Sequence, residues 1–207
     1  ELAVTNDGKF LAFKNETIAN LGAYARVFGT VTPTYLFGPC ATGVYTIPAA
    51  YTNVKAVYTN TAPVDAYRGA GRPEATYTIE RLVEKAAMEL GIDRTEIRMR
   101  NFPTEFPFKQ TLVHTVDSGD YVASLEKAKQ MSDYKGFEAR RKKSEANGKL
   151  RGIGVSSYFE ACGIAPSAVV MSLGCGVGLW ESSEVRFNPT GQVSVYTGAH
   201  SHGQGHD

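Results

Sequence analysis

The chain has 207 residues, 43% of them apolar and 21% charged, with a formal net charge of +1 at pH 7. This is the balance of a globular protein with enough apolar side chains to bury a core. Near-neutrality argues against a dedicated nucleic-acid or membrane-surface binder, and no apolar run reaches the roughly 18 residues that span a bilayer.

Cys40, Cys162 and Cys175 are widely spaced and form neither a CxxC pair nor a metal-ligand pattern. Their odd number favours a reducing compartment, so a cytoplasmic location is expected, with no signal peptide in view. The chain opens on Glu1 and stops at Asp207 within a glycine–histidine run, and it is expected to be an internal piece of a longer polypeptide.

Residues 2–14 predict a hairpin, with Leu2-Ala3-Val4 and Phe10-Leu11-Ala12-Phe13 flanking the turn Asn6-Asp7-Gly8. Residues 15–65 are rich in Tyr, Thr, Pro and Gly and predict short strands with ordered loops. Ile79, Leu82, Val83, Ala86, Ala87 and Leu90 recur at helical spacing, with Pro73 at the start and Gly91 at the stop. Asp93 with Glu96 predicts a second, short helix ending near Asn101 or Phe102. Further helices are predicted from Asp120 to Met131 and from Tyr134 to Asn147, the second closed by Gly148. Its run Arg140-Arg141-Lys142-Lys143 reads as a solvated face rather than a nucleic-acid contact. After Leu150 the pattern turns to strands over Gly152–Phe159, Ser183–Phe187 and Gln192–Tyr196, the last two joined by Asn188-Pro189-Thr190-Gly191. The fold class is α+β, with parts expected at 1–149 and 150–207.

Two motifs carry chemistry. Ala66-Tyr67-Arg68-Gly69-Ala70-Gly71-Arg72-Pro73-Glu74-Ala75 sets glycines and arginines in a turn just before the strongest helix. One reading is an anion site facing a helix N-terminus. The other is a tight connection with solvated arginines, and spacing alone leaves both open. The second motif is Gly198-Ala199-His200-Ser201-His202-Gly203-Gln204-Gly205-His206-Asp207, where glycines around Gln204 allow close backbone approach to a ligand. Its histidines leave a direct zinc site open, although only His200 and His202 share a strand face. No GxGxxG fingerprint or Walker A loop is present. Gly174-Cys175-Gly176-Val177-Gly178 reads as a strand segment, and Glu160 and Glu181 as surface carboxylates in preference to acids or bases.

Taken in order, AYRGAGRPEA, LGIDRTEIRMRN and GAHSHGQGH, with TGVYTIPAAYTNVKAVYTNTAP upstream, resemble the molybdenum hydroxylases. These comprise the xanthine dehydrogenase and aldehyde oxidase family, including the large subunit of carbon monoxide dehydrogenase. The resemblance implies a molybdopterin-binding subunit that carries molybdenum on a pterin cytosine dinucleotide. It hydroxylates an aldehyde or N-heterocycle with oxygen from water. It also implies a small iron–sulfur subunit with [2Fe-2S] clusters and a medium FAD subunit, assembled as a dimer of heterotrimers. Arg68 matches the arginine beside metal and substrate, within a cofactor-binding turn of Arg68, Gly69, Ala70 and Gly71. Gly203, Gln204 and Gly205 match the pterin-contacting GQG segment, with His202 and His206 as flanking cofactor neighbours. No side chain ligates the metal.

Two departures bear on substrate. Where carbon monoxide dehydrogenases read AYRCSFR and place copper on the cysteine, this chain has Gly69. Where xanthine-type enzymes read FRGFGGPQ and stack a phenylalanine on substrate, it has Ala70. AYRGAGR resembles the form II group of carbon monoxide dehydrogenase-like proteins. The family's GGGFG loop and C-terminal catalytic glutamate are not among these residues, so the 207 residues alone are expected to be inactive. The competing reading is a non-catalytic anion- or nucleotide-binding module.

Overall fold

The computed structural model describes residues 1–160, 171, 172, 174, 176 and 181–206. The chain divides into two compact units, Glu1–Glu160 and Ala161–Asp207. The first begins with the predicted hairpin, β1 (Leu2–Val4) against β2 (Phe10–Asn20), with Gly8 at φ +83° in the turn. β2 runs on past the hairpin and pairs in parallel with β3 (Ala49–Val57). A parallel pair needs a crossover, and residues 21–48 supply it. Where short strands were expected, this crossover holds a π-helical turn at Thr32–Leu36 and a 3₁₀ turn at Gly38–Cys40. Pro33 and Pro39 sit at the starts of these turns, where a missing N–H costs nothing.

The main helix, α1 (Arg72–Leu90), buries Ala75, Ile79, Val83 and Ala87 and ends at Gly91 with φ +64°. The buried stripe packs with Phe10, Phe13, Val44, Tyr45, Ile97 and Phe102 in one core. Tyr45 stacks on Phe102 with ring centroids 5.7 Å apart and meets the edge of Phe10 at 5.3 Å. Asp93 caps α2 (Arg94–Met99) by accepting from the backbone N–H of Thr95 and Glu96. α2 stops short of the predicted end because Asn101 turns inward. Its Nδ2 donates to Ile97 O and Gly8 O, each at 2.7 Å, while its Oδ1 accepts from Phe10 N–H at 2.8 Å.

A short ladder, β4 (Phe108–Lys109) with β5 (Thr115–Val116), precedes α3 (Tyr121–Met131), whose N-cap is Asp120. The last predicted helix divides into a 3₁₀ turn at Tyr134–Gly136 and α4 (Phe137–Glu145). The basic run on α4 is a solvated face, with Arg141 paired to Glu138 at 2.8 Å.

Residues 152–159 form no ladder, although they read as a strand. Arginine side chains take the place of a neighbouring strand there: Arg94 donates to Ile153 O at 2.7 Å and Arg98 to Val155 O at 3.0 Å. These bonds hold the segment after residue 150 to the first unit. Arg98 is fully buried and also grips Glu80 Oε2 at 2.8 Å, while Tyr45 Oη donates to Glu80 Oε1. Burial, reinforced by the Glu80 carboxylate, pushes the Tyr45 phenol well above its ordinary pKa.

In the second unit β6 (Ser183–Phe187) pairs antiparallel with β7 (Val193–Thr197) through the predicted Asn188–Gly191 turn. Gly191 donates to Asn188 O at 2.9 Å with φ +85°. Cys162, Cys175 and most of the Gly174–Gly178 segment lie outside the described residues.

Candidate functional site

The arginine–glycine turn is built from three consecutive residues with positive φ: Gly69 at +94°, Ala70 at +21° and Gly71 at +86°. Ala70 N–H donates to Tyr67 O at 2.8 Å and Arg72 N–H to Gly69 O at 3.0 Å, which closes the turn onto the start of α1. Both glycines are required. A Cβ on Gly69 would lie 2.7 Å from Pro73 Cγ and 2.9 Å from its Cδ. A Cβ on Gly71 would lie 2.6 Å from Leu36 C and Thr32 O, inside the π-helical turn. Gly71 is also the N-cap of α1 and supplies no side-chain acceptor; the Arg72 N–H is taken by Gly69 O and Pro73 has no N–H, so the turn itself closes the helix start. Tyr67 and Arg68 project outward and are exposed.

The two arginines of the motif part company. Arg68 is solvent-facing, whereas Arg72 is 8% exposed, so the reading of both as solvated fails for Arg72. Arg72 Nη1 donates to Ala70 O at 3.0 Å, and its Nε lies 3.4 Å from Glu160 Oε1. Glu160 thus stays a half-exposed surface carboxylate, as expected, and also pairs with a buried arginine. Next to this pair, Cys40 Sγ lies 3.4 Å from His114 Nε2, and the His114 ring meets Phe159 edge-on at 5.9 Å. Burial pushes the Cys40 thiol up to about 11, with Arg72 opposing the rise and Glu160 adding to it. Burial, helped by Arg72, holds His114 below its ordinary range. Reading the sequence missed this cluster. Its one visible trace was the arginine at the first position of a helix, where the positive end of the dipole disfavours a cation.

The second motif is an exposed loop after β7. Gln204 Nε2 donates to His200 O at 2.8 Å and meets the His206 ring, while Gln204 Oε1 accepts from His202 N–H. Gly203 and Gly205 stand at φ +83° and +80°, and a Cβ on Gly205 would meet nothing within 4 Å. The His200 and His202 rings lie 4.6 Å apart, but both stand in the loop and not on the strand face expected for them. Glu181 Oε1 accepts from Gly198 N–H at 3.0 Å and so ties the base of the loop. Among the described residues no three His, Cys, Asp or Glu side chains converge on a point that would hold a metal ion. The turn belongs to the first unit and the loop to the second.

Residues 1–102 match a family model described as a molybdopterin cofactor-binding domain, and residues 127–207 match a second model of the same description. The carbon monoxide dehydrogenase large chain of Hydrogenophaga pseudoflava is 40% identical over 214 residues, which cover 100% of this chain and 26% of that one. The 6-hydroxypseudooxynicotine dehydrogenase complex subunit gamma of Paenarthrobacter nicotinovorans is 33% identical, covering 99% of this chain and 25% of its own length. Among solved structures, quinoline 2-oxidoreductase from Pseudomonas putida 86 superposes with a TM-score of 0.86 at 36% identity, over 99% of this chain and 26% of that one. A Cu,Mo-CO dehydrogenase superposes with a TM-score of 0.79 at 35% identity, over 99% of this chain and 27% of that one. The chain spans about a quarter of the length of the curated relatives it matches. With molybdopterin cofactor-binding domain matches over 1–102 and 127–207, the chain belongs to the molybdopterin-binding family that includes the xanthine dehydrogenase and carbon monoxide dehydrogenase large chains.

Proposed function

We propose that this chain is the part of a molybdenum hydroxylase large subunit that presents two cofactor-facing loops, in an enzyme that oxidises an aldehyde or N-heterocycle. The observation that carries the reading is the turn at Arg68. Three successive left-handed residues hold an exposed guanidinium at the start of a helix, within a stretch that matches a molybdopterin domain. A free-standing anion-binding module does not account for the second matched domain and its Gly203-Gln204-Gly205 loop.

The residues present fit a pterin-borne metal. Gln204 offers an amide donor and acceptor, the open side of Gly205 admits a ligand close to the main chain, and Arg68 brings an exposed planar guanidinium. Gly203, Gln204 and Gly205, with His202 and His206, would hold the pterin as its cytosine dinucleotide. Gly69, Ala70 and Gly71 would place Arg68 beside the reacting centre. When bound, that cofactor supplies the redox centre for oxygen transfer from water. Arg68 would orient the substrate and offer its guanidinium to negative charge on it.

Gly69 and Ala70 narrow the substrate class. Pro73 lies within 2.9 Å of where a side chain at position 69 would start, so position 69 has no room for a thiolate, and Ala70 brings no aromatic ring at its own position. The wall beside Arg68 is backbone, which suits a small aldehyde or a ring held edge-on by hydrogen bonds. Electrons would leave through [2Fe-2S] and FAD centres on small and medium partner subunits, in a cytoplasmic dimer of heterotrimers.

The test is Arg68→Ala in the full-length enzyme, with turnover on an aldehyde and N-heterocycle panel measured beside molybdenum content. Turnover is expected to fall by about 100-fold, with metal content within about twofold of the parent. Parallel loss of metal and turnover would move Arg68 from substrate orientation to cofactor retention, and unchanged turnover would remove it from the site.

A further inference from the structure

Arg72 breaks two local rules at once. It is a cation at the first position of α1, where the helix dipole is unfavourable, and it is almost wholly buried, where a charge is costly unless paired. A sequence that tolerates both offsets them with something the arginine does. Its contacts show what that is. Nη1 holds Ala70 O at 3.0 Å, and Ala70 is the non-glycine residue at φ +21° in the middle of the turn. Nε lies 3.4 Å from Glu160 Oε1 as an ion pair, and Glu160 follows a segment whose Ile153 and Val155 carbonyls accept from Arg94 and Arg98 of α2. The guanidinium thus joins the crest of the turn to the core.

We propose that Arg72, held by Glu160, is a positioning residue that locks the turn in the conformation presenting Arg68. It rests on the reading of that turn as a wall of the cofactor site, and it adds a residue that touches neither cofactor nor substrate. The planar guanidinium is needed because it reaches the Ala70 carbonyl with one nitrogen and Glu160 with another. A lysine ammonium reaches one or the other. Removing the clasp frees Ala70 to leave its left-handed geometry, and Arg68 moves with it.

The experiment is hydrogen–deuterium exchange on the full-length enzyme and its R72Q, R72K and E160Q variants, with turnover, KM and molybdenum content measured in parallel. R72Q is expected to speed exchange of the 66–75 backbone by about tenfold or more while the 79–90 stretch of α1 keeps its protection. Turnover is expected to fall about 10- to 100-fold with metal content retained. R72K should recover part of the protection. R72Q/E160Q should be no worse than R72Q alone, as for two members of one clasp. E160Q leaves Arg72 in place and carries the test if R72Q does not fold. Unchanged exchange at 66–75, or equal loosening of all of α1, overturns the proposal. Faster exchange at 66–75 with unaltered turnover and KM upholds the clasp and refutes the reading of the turn as part of the site.

Discussion

The two glycine loops of this chain are held in opposite ways. The turn at 68–71 is braced from behind: Gly71 sits against the backbone of residues 32–37, Pro73 fills the space beside Gly69, and Arg72 grips the crest. Among the described residues, the loop at 198–206 is tied by Glu181 at its base and by Gln204, whose amide meets His200, His202 and His206, and its residues are exposed. A loop fixed by the core is preorganised before any ligand arrives. A loop fixed by its own side chain must exchange those bonds for bonds to the ligand. In the site proposed above, the first would govern how Arg68 is aimed and the second how readily the cofactor is taken up.

The largest expected effect tests the foundation of the braced turn. Arg98, Glu80 and Tyr45 form the buried network that moors Val155, five residues before Glu160, to the helices. Removing one partner of a buried pair strands the other, so Arg98→Ala should cost about 3–5 kcal/mol. Arg186 and Glu184 are paired at 2.8 Å on an exposed strand, and Arg186→Ala should cost less than about 1 kcal/mol. Urea melts of the two variants check the contrast, and equal losses would mean that the exposed pair belongs to a buried network too.

Next in size is a matched pair of glycine substitutions. Gly71→Ala adds a methyl at φ +86° within 2.6 Å of main-chain atoms, and backbone cannot step aside as a side chain can. A loss of about 2–4 kcal/mol is expected, combining left-handed strain with overpacking. Gly205→Ala, at φ +80° with open space around it, carries only the strain and should cost about 1 kcal/mol. Thermal melts give the ranking, and similar values at both positions would erase the distinction between a braced and a self-tied loop.

Part of this difference is legible in the amino-acid order. The apolar stripe from Ile79 to Leu90, the Asp93 cap, the Asn6-Asp7-Gly8 hairpin and the turn before α1 all follow from local rules, and the structure has each of them. The brace does not follow from them. Arg72 and Glu160 meet across 88 positions, Cys40 and His114 across 74, and Arg98 supplies the partner that residue 155 lacks as a strand. Such pairings depend on tertiary approach, which periodicity does not encode. Arg72 was the readable clue, a cation at the first position of a helix, where the dipole disfavours it.

The smallest expected effect is a pH dependence confined to the braced side. Burial and Arg72 hold His114 below its ordinary value of 6.5, so it stays neutral in the folded state where the unfolded chain takes a proton. The unfolded state then binds more protons, and the stability that this difference supplies is present above about pH 6.5 and drains away as the pH falls through the lower, folded value. Melting temperature should decline modestly between pH 7 and pH 5, and His114→Gln should flatten that slope without altering the melt at pH 8. At the other end, the Cys40 thiol, raised by burial to about 11, should resist alkylation at pH 8 in peptide-resolved mass spectrometry until the first unit unfolds. If Cys40 labelled as fast as an exposed thiol, the pocket behind Arg72 would be open to water. Water there would compete for both the Ala70 carbonyl and the guanidinium that holds it, and the turn could not be called braced.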